Sequence, residues 1–390
     1  MAEVVVMDGD IMHEDGFFPL PNVELFERLK NLADDHEALL VNLQVFYIAF
    51  QPIHGSSLSL NQRRKLFNMG AAEFVMKLMS ENLEDEEIHV WAWRILRDSI
   101  CFLDNENPAE YETVNRAVEI GVVEAIVREL TRVNSRPRVL WNVFSSLTTI
   151  CLAQEHAEKI ISCGVVESCL RIVNLDVSED FSTSALGSLK NLAISKRTHA
   201  YLLKAGSIRV ANEAMHFLSS DNNYELKLGL CAASLICRLI ENQEVGEGTD
   251  VVYGNKILYY RLEWLLKKVL SAGSRGTVIG SGWNPANIIL DISILANHDR
   301  SKSLLVAFIP LLYKALKTRG AGNSRLVKYA VQTLVELSSD PVCAIEIGEQ
   351  NKEFFMILKK LRRSPLLDVQ SFQNISLLLT LEGKKKQILF

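Results

Sequence analysis

Residues 155–195 read EHAEKIISCGVVESCLRIVNLDVSEDFSTSALGSLKNLAIS, a stretch built from three blocks of different composition. A short charged and apolar block leads to Gly164, and an amphipathic block, GVVESCLRIV, follows it. After a polar break comes a longer block rich in Leu and Ala, STSALGSLKNLAIS. The pattern predicts three helices with a sharp turn at Gly164, because glycine adopts backbone angles that other residues resist.

The same three blocks recur along the chain around glycines at a regular spacing. Gly121 opens GVVEAIVREL, 43 residues before Gly164, and Gly206 opens GSIRVANEAMHFL, 42 residues after it. No single unit of this size covers its own apolar face, so consecutive units are expected to stack.

The third helix of the best-formed copy shows how such units would pack. Ala185 is small enough for neighbouring helices to approach closely, and Leu186, Leu189 and Leu192 lie on one side of the helix. We expect these four residues to be buried between consecutive units.

This unit resembles the armadillo repeat, whose usual pattern is a short helix, a glycine turn, a second helix and a third helix ending in a Leu–Asn–Leu–Ala type sequence. The resemblance extends over residues 71–381. It implies an all-α fold, a right-handed α-solenoid of about seven armadillo-like helical repeats.

Less regular copies flank the central ones. Residues 23–32 and 39–50 predict an incomplete opening repeat, and 89–102 predicts a third helix after the block that starts at Gly70. Later second and third helices are predicted at 260–270 with 284–296, 309–316 with 326–337, and 354–361 with 369–381. The glycines predicted to form the turns are Gly70, Gly121, Gly164, Gly206 and Gly348.

The remaining segments complete the predicted organisation. Residues 1–21 are acidic and are predicted to be a flexible N-terminal segment, and residues 22–382 are predicted to form the solenoid. Loop insertions are predicted at 241–252 and 271–283, and a basic tail at 383–390. The second insertion is rich in glycine but contains no GK[ST] and no GxGxxG, which favours a connector over a nucleotide site.

Composition excludes several classes of protein. The 390 residues are 48% hydrophobic and 23% charged, which excludes a disordered or collagen-like chain. The net charge of −5 argues against nucleic acid as the main ligand. No apolar stretch reaches the ~18–20 residues of a membrane span, and the first residues are not those of a secretory signal. We therefore expect no membrane insertion and a location in the cytoplasm or the nucleus.

The sequence shows no motif for catalysis or metal binding. The eight histidines and seven cysteines form no ligand pair or nucleophile motif, so we predict no enzyme activity, no metal and no cofactor. His156 and His199 occupy matching positions where a role at a helix start suffices. The acidic run Glu84–Glu87 lacks the spacing of a calcium loop and reads as a solvated acidic turn.

In armadillo proteins the third helices line a concave groove, and the resemblance implies that an extended peptide lies there. Nuclear-import adaptors of the importin alpha type carry an Asn on each third helix with a Trp four residues earlier. In the copy around Gly164, Asn191 fills the Asn position but Gly187 replaces the Trp; in the preceding copy the equivalents are Thr149 and Ser145. Such a ladder is therefore predicted to be missing. Asn191 is either a structural bridge between helices or a peptide ligand.

Beta-catenin-like proteins instead line the groove with Lys and Arg that meet acidic peptides. Arg94, Arg97 and Arg238 are basic residues of the predicted third helices, but they form no continuous row, and a solvated helix face is the alternative. The residues predicted to contact a partner in the groove are Arg94, Thr149, Asn191, Arg238 and Glu336.

The sequence thus predicts a non-enzymatic scaffold or adaptor that binds a protein or an extended peptide along the concave groove. An import adaptor is an alternative that the missing ladder disfavours, and a structural subunit of a cytoskeletal or ciliary assembly is another. Residues 1–37 hold ten acids and two bases, whereas residues 351–390 hold eight bases and three acids. These opposite charges also allow a weak self-association through the ends.

Overall fold

The computed structural model describes residues 26–27, 29, 31, 36–50, 66–100, 108–132, 137–175, 178–240, 252–253, 255–271, 285–319, 324–350, 352–364 and 368–382. Within these ranges the chain forms 20 α-helices and no β-strand, as the predicted all-α fold requires. The chain divides into two compact units, Met1–Cys101 and Phe102–Phe390. The predicted terminal segments and most of both predicted insertions lie outside the described residues.

The first unit contains α1 (His36–Phe50), α2 (Ala71–Glu81) and α3 (Glu86–Ile100). The third helix, α3, packs against both α1 and α2. The acidic run Glu84–Glu87 leads into the N-terminus of α3 and is not merely a solvated turn. The Oδ1 atom of Asp85 accepts a hydrogen bond from the Ile88 N–H at 3.0 Å, and two glutamates lie in the first turn, where carboxylates are favourable.

The carboxyl group of Asp85 is held in its charged form by these contacts. Partial burial alone would raise its pKa, but hydrogen bonds from His36 and from the Ile88 N–H outweigh burial and hold the pKa below its usual value. The contact with His36 also ties the first turn of α1 to the start of α3.

The second unit is an α-solenoid of three-helix repeats. Its helices are α4 (Pro108–Glu119), α5 (Val122–Thr131), α6 (Pro137–Ile150), α7 (Ala157–Ser162), α8 (Val165–Asn174), α9 (Glu179–Leu192), α10 (His199–Lys204), α11 (Ser207–Ala214), α12 (Asn223–Ile240), α13 (Lys256–Ser271), α14 (Pro285–Ala296), α15 (Asp299–Leu305), α16 (Ile309–Arg319), α17 (Ser324–Leu337), α18 (Pro341–Glu349), α19 (Lys352–Leu361) and α20 (Val369–Leu379). Second helices α5, α8, α11, α13, α16 and α19 are followed by third helices α6, α9, α12, α14, α17 and α20. With α2 and α3, the described residues contain seven such pairs, which agrees with the predicted number of repeats.

Two insertion boundaries need correction. Val252 lies in a short helical segment and is fully buried, and Ser271 is the last residue of α13, although both were assigned to insertions. The predicted helices otherwise differ from the observed ones by a few residues at their ends, where sequence patterns define helix boundaries least well.

Left-handed glycines separate the first and second helices of four repeats. Gly70, Gly121, Gly164 and Gly206 have φ values of 79°, 89°, 85° and 83°, and each precedes the second helix directly. The prediction for these four glycines is confirmed. For Gly348 it is wrong.

Gly348 lies inside α18, one residue before its end, and the chain turns toward α19 at Gln350 instead. Gln350 has φ −55° and ψ 147°, ordinary values that need no glycine. The last repeat therefore makes the same connection with a different backbone conformation.

A matched pair of glycine substitutions tests this difference. Gly164→Ala places a side chain at φ +85° with no heavy atom within 4 Å of the new Cβ, so the cost of about 1–2 kcal/mol reflects backbone strain alone. Gly348→Ala is expected to be neutral or stabilising by up to about 1 kcal/mol, because the glycine is helical and its nearest neighbour is 3.7 Å away. Urea unfolding of the full chain measures both; equal stability of the two variants would contradict the assignment.

The repeats stack through apolar faces and through hydrogen bonds that recur about one repeat apart. Ala185, Leu186, Leu189 and Leu192 are completely buried, as the sequence predicts. Basic side chains on one repeat donate to carbonyl groups of the repeat before it: Lys159 to Val118 at 2.9 Å, Arg171 to Leu130 at 2.6 Å, and Arg261 to Leu218 at 3.1 Å. These bonds satisfy carbonyl groups at or near helix ends.

Candidate interaction surface

The third helices of the second unit lie side by side in chain order. Contacts join α6 to α9, α9 to α12, α12 to α14, α14 to α17 and α17 to α20. The predicted partner-binding residues of this unit therefore belong to one row of neighbouring helices. Their accessibility differs strongly along the row.

Asn191, on α9, is completely buried and bridges two repeats. Its Nδ2 donates to the carbonyl oxygen of Thr148 at 3.0 Å, so it ties the end of α9 to α6. The structure supports the bridging alternative, and the prediction that Asn191 contacts a peptide is corrected, because no part of the side chain faces solvent.

The sequence does hold one Trp–Asn pair with the four-residue spacing, Trp283 and Asn287. Trp283 lies outside the described residues. Asn287 lies on α14 and is only 1% exposed, so like Asn191 it presents no accessible face to a peptide.

Arg238, on α12, is also buried, and its guanidinium group forms an ion pair inside the protein. Its side chain and that of Asp291, on α14, are each 1% exposed. Nε and Nη2 of Arg238 lie 2.8 and 2.7 Å from Oδ1 of Asp291, and Nη1 donates to the carbonyl of Lys190 at 2.7 Å. The hydroxyl of Ser234 donates to the other carboxylate oxygen at 2.6 Å. The prediction that Arg238 contacts a partner is therefore wrong.

Lys190 belongs to the same buried region between α9 and α12. Burial lowers the pKa of its ammonium group, and the neighbouring Arg238 adds to this, opposed by Cys231 and Asp291. The centre of the third-helix row is thus a polar core and not a binding surface.

Thr149 lies on an accessible stripe of α6, the first third helix of the row, before the buried centre. Its hydroxyl donates to the carbonyl of Ser145 at 3.1 Å, and the side chain is half-buried. Arg138, Trp141, Ser145 and Thr149 recur at about every fourth residue of α6 and form its accessible face. Trp141 is 52% exposed.

Glu336 lies on a second accessible stripe, on α17. Arg325, Tyr329, Gln332 and Glu336 are all half-buried and lie three or four residues apart, so they share one side of the helix. The structure places Glu336 where a partner could reach it, but on the far side of the buried centre from Thr149.

Arg94 belongs to the first unit and is half-buried on α3. Its guanidinium group lies 4.4 Å from the ring centre of Trp91 and 5.8 Å from that of Tyr47 on α1. The adjacent Arg97 is bound to Asp98 at 2.7 Å and donates to the Tyr47 hydroxyl at 3.2 Å. The two arginines are therefore held against aromatic rings and a carboxylate in this unit.

No protein-family model and no curated protein matches the chain. Similar solved structures are an engineered protein (19% identity, TM-score 0.49, covering 90% of this chain and 77% of that one), a designed armadillo repeat protein (16%, 0.36, 80% and 99%) and SYS-1 (10%, 0.45, 94% and 73%). Identities below 25% and TM-scores below 0.5 do not establish the fold by themselves. The fold is established by the repeat itself, which consists of a short helix, a left-handed glycine, a second helix and a stacked third helix. The fold is armadillo-like.

The described part of this armadillo-like chain brings together no groups suited to metal chemistry. Within it, nowhere do three or more His, Cys, Asp or Glu side chains meet as a metal site requires. None of its helices has both the length and the apolarity needed to cross a bilayer.

Most cysteines of the armadillo-like repeats are buried in the core, and two histidines form contacts at helix starts. Six cysteines are free in the described ranges and five of them are buried; burial raises the pKa of Cys169 to about 12, which keeps this thiol protonated and unreactive near neutrality. His199 begins α10, and its Nε2 lies 2.9 Å from the carbonyl of Ala193. His156 precedes α7 and lies 2.8 Å from Oδ1 of Asn115.

Proposed function

We propose that this armadillo-like protein is a non-enzymatic interaction scaffold that binds a partner polypeptide on its third helices. The observation that supports the proposal is the exposed Trp141 on α6, aligned with Arg138, Ser145 and Thr149. Trp and Arg are the residues that contribute most to protein–protein binding energy.

The buried centre of the row limits the partner's path. A peptide on α6 meets an aromatic ring, one guanidinium group and two hydroxyls, whereas α14 and the part of α12 after its first turns, residues 228–240, offer it almost no accessible side chain. We propose that the partner contributes a short segment, with a long aliphatic or aromatic side chain that stacks on Trp141. A continuous extended peptide along the whole row is not part of this proposal.

Replacing Trp141 tests the proposal. Trp141→Ser in the tagged full chain is expected to reduce the recovery of its bound partners by roughly tenfold or more, because the central aromatic contact is lost. Tyr224→Ser is the matched control, since Tyr224 is a similarly exposed aromatic residue, 50% accessible, on α12. Recovery is measured by quantitative mass spectrometry of co-purified proteins. Identical protein sets for the wild type and Trp141→Ser would contradict the proposal.

A further inference from the structure

The second helices allow one repeat to be compared with others on the same face. In α5, α8 and α11 every exposed side chain is polar or charged. These side chains are Glu124, Arg128, Thr131, Glu167, Arg171, Asn174, Arg209 and Glu213. The outward face of these three consecutive second helices is thus a solvated surface.

Helix α13 departs from this pattern. Its outward side chains include Ile257 and Tyr260, which are 45% and 63% exposed, and the half-buried Trp264. The opposite side of α13 is fully engaged in the core, so this apolar stripe is additional to the one that holds the helix in the fold. At 16 residues, α13 is also longer than α5, α8 and α11, which have 10, 10 and 8.

The spacing of the stripe suits a second helix lying alongside. Ile257, Tyr260 and Trp264 are three and four residues apart, and Lys267 and Ser271 continue the same interval. This is the spacing of the contact positions in a helix pair that follows a seven-residue repeat. The accessible apolar surface is a single narrow stripe, which one partner helix would cover.

The charges around the stripe indicate the chemistry of that helix. Residues 256–271 contain four basic residues and one acid, Glu263, which is bound to Lys267. Arg261 is bound to Asp221 and to carbonyl groups of the preceding repeat, so the basic residues considered beside the stripe are Lys256 and Lys268. Lys256 lies at one end of the stripe, and near the other end the Lys268 ammonium group lies 4.6 Å from the ring centre of Trp264. A partner with carboxylates beside its apolar residues would meet complementary charge at both ends.

We propose that α13 is a docking site for an acidic amphipathic helix of a partner protein. Leucine-sized side chains of that helix pack on Ile257, Tyr260 and Trp264, and its Glu and Asp residues pair with Lys256 and Lys268. This surface is separate from Trp141, and it involves a helical partner segment rather than one that stacks on the third helices.

The test uses a fluorescein-labelled synthetic peptide of three heptads, with Leu at the two contact positions of each heptad and Glu elsewhere. Fluorescence anisotropy with the full chain is expected to show binding that weakens with salt. The double variant Tyr260→Ser/Trp264→Ser and the single variant Lys268→Glu should each weaken it, the former by roughly tenfold or more. Met356→Ser is the matched control, because Met356 is 66% exposed on another second helix, α19, and its replacement should leave binding unchanged.

Any one of three results would overturn the proposal. The acidic peptide fails to bind, a twin peptide with Lys in place of Glu binds equally well, or Met356→Ser weakens peptide binding as much as Tyr260→Ser/Trp264→Ser does. Binding of the full chain to phosphatidylserine-containing vesicles, lost in the Tyr260→Ser/Trp264→Ser variant, would assign α13 to a membrane surface instead. None of these results depends on Trp141, so the outcome is independent of the function proposed above.

Discussion

Arg238→Met will lower the free energy of unfolding of the full chain by about 3–5 kcal/mol. The substitution preserves much of the side-chain volume but leaves the Asp291 carboxylate, 1% exposed, without its counter-charge. The hydrogen bond from the Ser234 hydroxyl to this carboxylate remains in the variant. A buried carboxylate that loses its hydrogen-bonded counter-charge is costly because water does not solvate it. Urea unfolding followed by circular dichroism measures the change.

Two further variants separate the buried charge from other effects of the substitution. Arg209→Met removes a pair with Glu213 that is 3.3 Å long and mostly exposed on both sides, and it should change stability by less than about 1 kcal/mol. The double variant Arg238→Met/Asp291→Leu should recover most of the loss, because neither charge remains buried. A loss below about 1 kcal/mol for Arg238→Met alone would show that the pair does not hold α12 to α14.

The fold was predictable because its signals are local. Gly164 and Leu186 lie within one repeat, and the turn and the buried stripe that they define depend on backbone conformation and helical periodicity. Copies of the same pattern at intervals of 42 and 43 residues then indicate stacking without any knowledge of long-range contacts. Gly348 failed as a prediction because its repeat turns at Gln350 with ordinary backbone angles.

The binding residues were less predictable because burial depends on contacts between repeats. Arg238 meets Asp291 across 53 residues, and no local pattern distinguishes such a paired arginine from one on a solvated face. One signal was present: residues 228–240 read LGLCAASLICRLI, apolar on every side of the helix, which is typical of a helix buried all round. Trp141 is not among the residues predicted to contact a partner, although its place among polar residues spaced along α6 marks it as exposed.

Gly229 shows a packing constraint that the sequence does not reveal. It lies within α12, where the 3₁₀ turn Met215–Ser219 packs directly on the helix. A Cβ atom at this position would lie 2.6 Å from the backbone nitrogen of Leu218 and 2.9 Å from the carbonyl carbon of Phe217. Both atoms belong to the main chain, so the turn as a whole would have to move away from the helix.

Gly229→Ala is therefore expected to destabilise the full chain by about 1–3 kcal/mol, the cost of overpacking a well-fitted contact. Gly187→Ala, in the third helix α9, is the matched control. Its new Cβ would lie 3.9 Å from Sγ of Cys231, an ordinary contact, so this variant should gain up to about 1 kcal/mol from helix propensity. The same substitution in two neighbouring third helices thus has opposite expected signs in urea unfolding. If both variants were stabilised, the close approach of the turn to α12 would be disproved, since a turn free to shift would leave only the helix-forming advantage of alanine.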